Sequence, residues 1–274
     1  MKIVRPHAKR LRAAVAMFAA ALGSFALLAA LLSVILGLDS RVEFGARTGD
    51  ASRITAILNP LRVVEAAARP AANSIFAKDK GKFRIVVNGQ QAGTEEFEIA
   101  PSGDNWVAHG TSEVQSPQGP THVHGTLELR ADGTPLHYEW TTQGAKKAGA
   151  TIVFNGNTAS VELRLDGMRP FSQTFTFGSA RVAVLDNNLY HQYDVLARLY
   201  DWNQKGAQSF SVLVPQEMTP GTVTVESLGK QEVAGQKLEQ LHVKTEDLEI
   251  ELFLDGPHLR RVVSPSANAE IIRE

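Results

Sequence analysis

Residues 127–136 read Leu-Glu-Leu-Arg-Ala-Asp-Gly-Thr-Pro-Leu and contain the pattern that decides the fold. Leu127 and Leu129 alternate with charged residues, as expected for a strand with one buried face. Asp132-Gly133 predicts a tight hairpin turn, because such pairs accept a positive φ at little cost. Pro135 then opens a strand that returns beside the first. The segment therefore predicts an antiparallel hairpin.

The same signature recurs along residues 82–274. Phe83–Val87 runs into an Asn-Gly turn, and Ile250–Leu259 repeats the order of strand, Asp-Gly turn, proline and leucine. The predicted strands are 83–87, 94–99, 105–114, 122–130, 135–142, 150–155, 159–165, 171–177, 208–214, 222–227, 238–245, 248–254 and 259–263. The segments between them are mostly too short for the helical crossovers that join parallel strands, so we expect antiparallel pairing.

A mainly β fold follows, built as one large curved antiparallel meander. A sheet with this many strands usually curls or closes on itself. The strand pattern is equally typical of a half-barrel, a closed barrel and a two-sheet sandwich, and the sequence does not choose among them.

One helix is predicted to interrupt the strands, from Asn188 to Trp202. Its apolar side chains form a single stripe at helical spacing, made of Leu189, Tyr193, Leu196, Leu199 and Tyr200. We expect this stripe to cover the concave face of the sheet. It is interpreted as core, with two alternatives: the lining of a groove for an apolar ligand, or a surface that anchors a partner.

The start of this helix and its polar side carry further signals. The possible capping residues are Asp186, Asn187 and Asn188. The side away from the apolar stripe carries His191, Asp194, Arg198 and Asp201. Asp194 and Arg198 have the four-residue spacing of an ion pair within a helix.

An N-terminal membrane anchor is predicted from Ala13 to Leu38, a run of 26 residues without a charge. Roughly 20 apolar helical residues span a bilayer core. Five basic residues precede the run, and mixed charges follow it, so the N-terminus is expected in the cytoplasm and the rest outside. A cleaved signal peptide and a buried helix of a soluble protein are the alternatives, although the run is long for a signal peptide and ends without an Ala-x-Ala site.

Four regions follow from these patterns: a basic cytoplasmic tail at residues 1–12, the anchor at 13–38, a helical stalk at 39–81 and the β domain at 82–274. The stalk carries an apolar helical pattern at 53–68 that Pro60 interrupts. This pattern fits a spacer packed on the domain, or an amphipathic helix on the membrane surface. We therefore expect a single-pass protein of the inner membrane, with its β domain in the periplasm or outside the cell.

Composition excludes several classes of function. The 28 basic and 29 acidic residues are nearly balanced, which argues against a nucleic-acid binder. The chain has no cysteine, so disulfides, thiolate zinc sites and cysteine nucleophiles are excluded. No nucleophile elbow, HExxH motif or phosphate-binding glycine loop is present. We therefore predict no enzyme, no cofactor and no metal.

Two groups of titratable residues are the candidates for a metal site or a catalytic pair. If Val114 lies near Thr121, one sheet face carries His109, Glu113, His122 and His124. If Arg130 lies near Pro135, Glu128 sits opposite His137. Imidazoles and carboxylates on neighbouring strands can bind zinc or nickel. Threonines on the same face favour a solvated surface instead. His191 and Asp194 could form an acid–base pair, but no nucleophile accompanies them.

The pattern from Phe83 to Val263, with its Asp-Gly hairpins and the helix 188–202, resembles uncharacterised bacterial envelope proteins with curved antiparallel sheets. It is similar in outline to lipoprotein-carrier-like half-barrels. That resemblance implies a bent sheet and a covering helix around an apolar groove that takes up lipid chains. The predicted permanent anchor departs from those soluble or acylated carriers. No functional residue is carried over from them.

Two functions are therefore expected from the sequence. The first is a membrane-anchored domain that binds a lipid or another apolar ligand. The second is a non-catalytic envelope protein that assembles with a protein partner through an exposed sheet edge.

Overall fold

A computed structural model describes residues 74–116, 119–144, 147–204, 206–245 and 248–274. These residues contain one α-helix, α1 (His191–Leu199), a 3₁₀ turn (Pro215–Glu217) and fifteen strands. In chain order the strands are β1 (Asp79–Val87), β2 (Gln90–Ser102), β3 (Asn105–Ser116), β4 (Gly119–Leu129), β5 (Pro135–Gln143), β6 (Ala148–Asn155), β7 (Thr158–Leu165), β8 (Phe171–Thr176), β9 (Val182–Val184), β10 (Gln208–Val214), β11 (Thr219–Val233), β12 (Gln236–Lys244), β13 (Glu249–Asp255), β14 (His258–Ser264) and β15 (Ala269–Arg273).

All fifteen strands belong to one sheet, in the order β8-β7-β6-β5-β4-β3-β2-β1-β15-β14-β13-β12-β11-β10-β9. Neighbouring strands are antiparallel except for β9 and β10, which are parallel. The pairing of β1 with β15 brings the two ends of the domain together in the middle of the sheet. The predicted antiparallel meander is confirmed, and the described strands do not form a two-sheet sandwich.

The sheet is strongly curled. Strands β8 and β9 follow each other in the chain but form opposite edges of the sheet. Only residues 177–181 connect them, and a chain of that length spans at most about 20 Å. The sheet must therefore bend around until its two edges lie near each other, which gives the domain a barrel-like form with an inner and an outer face.

Alternation along each strand separates the two faces. On β7, for example, Ala159, Val161 and Leu163 are buried, whereas the residues between them are exposed. The inner face is apolar and forms one continuous core. Helix α1 lies inside this curve and contacts β3, β9 and β14. Eight of its nine residues are buried, which explains why the sheet can curl so far without a large void.

The thirteen predicted strands all correspond to observed strands, with ends that differ by a few residues. Both registers on which the grouping of the histidines depended are observed: Val114 pairs with Thr121, and Glu128 pairs with His137. Strands β9 and β15 were not predicted. The helix is confirmed, but it is shorter than the predicted segment and covers only His191–Leu199.

The predicted N-terminal elements lie outside the described residues. They are the cytoplasmic tail 1–12, the anchor Ala13–Leu38 and the stalk as far as residue 73. Within the part of the chain that the structure describes, no helix has the length and hydropathy needed to span a bilayer.

Candidate functional site

Helix α1 rests on positions of the sheet that have no side chain. A Cβ atom at Gly110 on β3 would lie 2.5 Å from His191 Nδ1, closer than such atoms approach in proteins. A Cβ at Gly125 on β4 would overlap Leu189, and one at Gly133 in the β4–β5 turn would overlap Leu199. These three glycines let the helix and its leading turn approach the sheet backbone closely.

The five residues predicted to line a ligand groove are all buried; Tyr193, Leu196 and Leu199 lie within α1, and Leu189 and Tyr200 flank it. Their exposed fractions are 0% for Leu189, 5% for Tyr193, 0% for Leu196, 3% for Leu199 and 3% for Tyr200. The Tyr200 hydroxyl donates to the Gly206 carbonyl at 2.9 Å. In this state the five side chains are packed against protein, and their role in a ligand groove stays a prediction.

A buried carboxylate from the sheet holds the start of the helix. Glu95 on β2 and His191 are both fully buried, and Glu95 Oε1 lies 2.5 Å from His191 Nδ1. Glu95 also accepts hydrogen bonds from the backbone N–H groups of Tyr190, at 2.7 Å, and of His191, at 3.3 Å. An anion at this position is favourable, because the first N–H groups of a helix lack partners within it.

The predicted helix cap was therefore wrong. Tyr190 occupies the N-cap position and makes no side-chain capping bond. Asp186 instead accepts a hydrogen bond from the Asn188 N–H at 3.1 Å, in the turn that precedes the helix. The cap comes from Glu95, nearly a hundred residues earlier in the chain, so local sequence patterns could not reveal it.

Two buried polar atoms around this contact have no hydrogen-bond partner among the described residues: His191 Nε2 and Ser112 Oγ. Ser112 lies directly opposite Glu95 in the β2–β3 pair. On the other flank, the Phe97 ring stacks on the His191 ring with centroids 6.0 Å apart. A buried polar atom without a partner costs about 1–3 kcal/mol. The contact between the start of the helix and strands β2 and β3 is thus not optimised for stability alone.

A second ionic cluster holds the other end of the helix. Asp194 and Arg198 form the predicted ion pair, with Arg198 Nε and one terminal nitrogen 3.0 and 2.8 Å from Asp194 Oδ2. Arg198 also lies 3.6 Å from Asp79 at the start of β1. Asp79 receives a two-pronged contact from Arg273 at 2.9 and 2.6 Å, and His258 Nδ1 lies 3.0 Å away. The helix is thereby tied to strands β1, β14 and β15.

The charges of this cluster shift one another's pKa values. Burial raises the pKa of Asp79, but hydrogen bonds and charge from Arg273 and His258 outweigh burial and lower it below 3.8. Its hydrogen bond to Asp79 raises the pKa of Arg273. Burial raises the pKa of Asp194 despite the neighbouring Arg198. Asp79 is therefore the group whose ionisation the fold favours most clearly.

A third polar contact joins the segment before the helix to the sheet. The Tyr138 hydroxyl on β5 donates to Asp186 Oδ2 at 2.7 Å, and both residues are buried. Burial and the Asp186 charge raise the pKa of Tyr138 well above its usual value, so the hydroxyl stays protonated. Burial likewise raises the pKa of Asp186.

The two groups of titratable residues singled out in the sequence are placed differently. His191 bonds to Glu95, whereas Asp194 bonds to Arg198, so the structure does not pair these two as an acid and a base. On the outer face, the rings of His109 and His124 lie 5.3 Å apart. Across the described ranges, no group of three or more His, Asp or Glu side chains is arranged to hold a metal ion.

Glu95 and Asp79 were not singled out from the sequence. Strand alternation contains a signal for Glu95, which shares its strand parity with the buried Phe97 and Ile99. Asp79 lies before the first predicted strand, 83–87, and fell in the predicted stalk, whereas in the structure it begins β1. A carboxylate on the apolar face of a predicted strand requires a buried partner. The site is thus helix α1 enclosed by a curled sheet, and the helix makes apolar contacts on one side and ionic contacts on the other.

No protein-family model and no curated protein matches the chain. Among solved structures, the chain is similar to a β-barrel-like protein of the domain of unknown function DUF1849 from Brucella abortus. The two are 10% identical, with a TM-score of 0.50, and the alignment covers 72% of this chain and 94% of that one. This likeness shows the fold alone: the domain shares a β-barrel-like architecture with an uncharacterised bacterial protein.

Proposed function

We propose that this chain is a membrane-anchored extracytoplasmic protein whose β domain binds a lipid or another apolar ligand, with helix α1 acting as a removable plug. One observation carries the proposal. The space inside the curled, apolar sheet is occupied by a single short helix that belongs to no strand layer. If α1 moves out, the surfaces it leaves form an apolar cavity of the kind that holds lipid chains.

The way the helix is held supports a removable plug. On one side it makes apolar contacts, and on the other it depends on buried charge through Glu95, Asp194 and Arg198. Buried ion pairs are weak evidence for stability, because desolvation of both charges offsets most of their attraction. The unpartnered atoms of His191 and Ser112 lower the stability of the seat further. A permanent core helix would be more stable with apolar residues at these positions.

The predicted anchor supports a lipid as the ligand. A domain tethered by residues 13–38 would stay beside the membrane that supplies its ligand. The resemblance to lipoprotein carriers points to the same class of ligand, although a tethered chain would present or accept lipid locally and would not shuttle it. We propose no catalytic role, no cofactor and no nucleic-acid partner.

Native mass spectrometry of the full chain in a mild detergent, with lipid extraction, tests this function. Three proteins are compared: the wild type, Glu95→Gln and Glu96→Gln. Glu95→Gln weakens the buried contact to His191, whereas Glu96 is its exposed neighbour on the opposite face of β2. We expect a co-purifying lipid whose occupancy rises in Glu95→Gln and is unchanged in Glu96→Gln.

Equal occupancy in all three proteins would mean that α1 does not control access. A lipid-free mass in all three, persisting after incubation with envelope lipids, would refute lipid binding. Only the second result would favour the second candidate function, because equal occupancy would still show that the domain binds lipid.

That second function, assembly with an envelope protein, is favoured by strand β8. It is an edge strand without charged residues, and five of its six residues are exposed. Isolated proteins usually protect such edges with charge or proline, because an open edge can accept a strand from a partner. A photo-crosslinking residue at Thr174 on β8 should give a discrete adduct in cells, whereas one at Ser160 on the neighbouring β7 should not. Adducts at both positions, or at neither, would argue against recruitment by β8.

A further inference from the structure

The sheet is incomplete where its two edges approach each other. Strand β9 pairs with only three residues of β10, Ser211 to Leu213. On that side of β10, the first residues, Gln208–Phe210, face no strand within the described part of the chain. Residues 177–181 pass there instead, as they cross from β8 to β9.

An open cavity of about 340 Å³ lies at this seam. Its lining includes Ser179, Arg181, Ser209, Phe210, Ser211 and Thr222. The volume is at the lower end of the range for small-molecule sites, which fits a small ligand or the head of a larger one. The cavity is separate from the interior that α1 fills, since the helix contributes none of its lining residues.

The hydroxyl groups of the lining converge on one face. Ser209 and Ser211 are two residues apart on β10, so their side chains point to the same side of the sheet. Ser211 lies directly opposite Thr222 on β11, which places those two side chains side by side. Ser179 shapes the crossing segment, because its hydroxyl accepts from the Arg181 N–H and donates to the Arg181 carbonyl, both at 3.1 Å.

The lining of the cavity carries a single kind of charge. Arg181 contributes the charge of the lining, and no carboxylate belongs to it. Arg181 is exposed, and it forms no ion pair with any described residue. The charge of Arg181 does act on the carboxyl group of Asp132. Burial opposes the ionisation of that carboxyl, but a backbone hydrogen bond from Thr134, with help from the Arg181 charge, lowers its pKa.

We propose that the seam cavity binds a phosphate group, held by the Arg181 guanidinium and by the hydroxyls of Ser209, Ser211 and Thr222. A planar guanidinium matches phosphate oxygens two at a time, and hydroxyl donors satisfy the oxygens that remain. The site goes beyond the binding of an apolar ligand, because it lies outside the interior and needs no movement of α1. Its phosphate could belong to a free metabolite or to the head of a phospholipid.

Isothermal titration calorimetry on the full chain in an uncharged detergent tests the site with two probes, inorganic phosphate and a short-chain phosphatidic acid. Inorganic phosphate should bind saturably. Arg181→Gln should weaken binding at least about tenfold, the loss expected for one charge-assisted contact. Arg169→Gln, which removes an exposed charge from the β7–β8 turn, should change the affinity less than twofold. Asp132→Asn should strengthen binding, because it removes a nearby negative charge.

A blocking variant keeps the test independent of charge. Ser209→Tyr leaves Arg181 in place but fills the cavity from an exposed position, so it should also abolish binding. Circular dichroism and thermal unfolding should be unchanged for all of these surface variants. If phosphatidic acid binds at least tenfold more tightly than phosphate, and still depends on Arg181, the source is a lipid head. Equal affinities identify a free phosphate-bearing ligand.

Three results would overturn the proposal. The first is the absence of saturable binding of inorganic phosphate. The second is an equal weakening of binding by Arg181→Gln and Arg169→Gln, which would indicate a diffuse effect of surface charge. The third is wild-type affinity for phosphate in Ser209→Tyr, which would place the anion elsewhere. None of these outcomes bears on lipid in the interior, which is measured through Glu95→Gln.

Discussion

The substitution Gly110→Ala tests whether helix α1 is seated as described. Its Cβ would lie 2.5 Å from His191 Nδ1 and 2.9 Å from Glu95 Oε1. The His191 ring is fully buried, and Phe97 stacks on it, so the ring has no free space into which to retreat. A methyl group forced into such a core costs about 1–3 kcal/mol.

Two further effects set the expected magnitude. Alanine is more favourable than glycine inside a strand by about 0.5–1 kcal/mol, which partly offsets the overlap. If the ring stays bonded to Glu95, the net loss is about 1–2 kcal/mol. If that bond breaks, its contribution of about 1.5–3 kcal/mol is lost as well, and the total loss reaches about 3–5 kcal/mol.

The assay is urea unfolding of the full chain in detergent, followed by tryptophan fluorescence. Gly221→Ala on β11 is the matched control, because its Cβ would make only an ordinary contact, 3.4 Å from Val212. The control should be neutral or slightly stabilising, since alanine restricts the unfolded chain more than glycine does. If Gly110→Ala is as stable as Gly221→Ala, His191 does not pack against Gly110, and helix α1 does not approach β3 as closely as the structure shows.

Three other substitutions test the polar contacts between helix α1 and the sheet. Asp79→Asn should lower the free energy of unfolding by about 3 kcal/mol at pH 7, because it leaves the largely buried Arg273 guanidinium without its carboxylate partner. The pKa of Asp79 is lowered in the folded state, so the stability that its carboxylate contributes is complete above pH 3.8 and is lost as the pH falls through the folded-state pKa. Chemical denaturation of wild type and Asp79→Asn at pH 7 and below pH 3.8 should therefore show a smaller difference in unfolding free energy at the lower pH. Glu95→Gln should cost about 2–3 kcal/mol in chemical denaturation, whereas the exposed Glu96→Gln should stay within about 0.5 kcal/mol of wild type. Ser112→Ala should be neutral or stabilising by up to about 1 kcal/mol in a thermal melt, because it removes a buried hydroxyl that has no partner; a clear loss would mean that this hydroxyl is bonded.

Strand alternation and turn chemistry were sufficient to predict most of the sheet. The Asp-Gly and Asn-Gly pairs restrict hairpin registers locally, which is why the observed pairing of Glu128 with His137 could be considered from the sequence as one register. Strand β9 has only three residues, all buried, so it offers no alternation to detect. Strand β15 is also short, and its place beside β1 is decided by contacts nearly two hundred residues apart.

The helix shows why the site was harder to predict than the fold. Its apolar stripe was correctly expected to be buried, but His191 and Asp194 were placed on the side away from the sheet. The sheet curls around the helix, so this side also meets strands, and His191 and Asp194 are fully buried. Amphipathic patterns separate apolar from polar residues, but they do not reveal a polar partner such as Glu95 on a distant strand.

The removable plug is tested most directly by hydrogen–deuterium exchange of the full chain, comparing the amides of residues 191–199 with those of β3. We expect the helix amides to exchange through a local opening, at least about tenfold faster than the buried amides of β3. Glu95→Gln should speed the helix further and leave β3 unchanged. If the helix amides exchange only as fast as those of β3, and Glu95→Gln affects both equally, the helix opens only when the whole domain unfolds. It would then be a permanent part of the core, and the interior would not be a binding site.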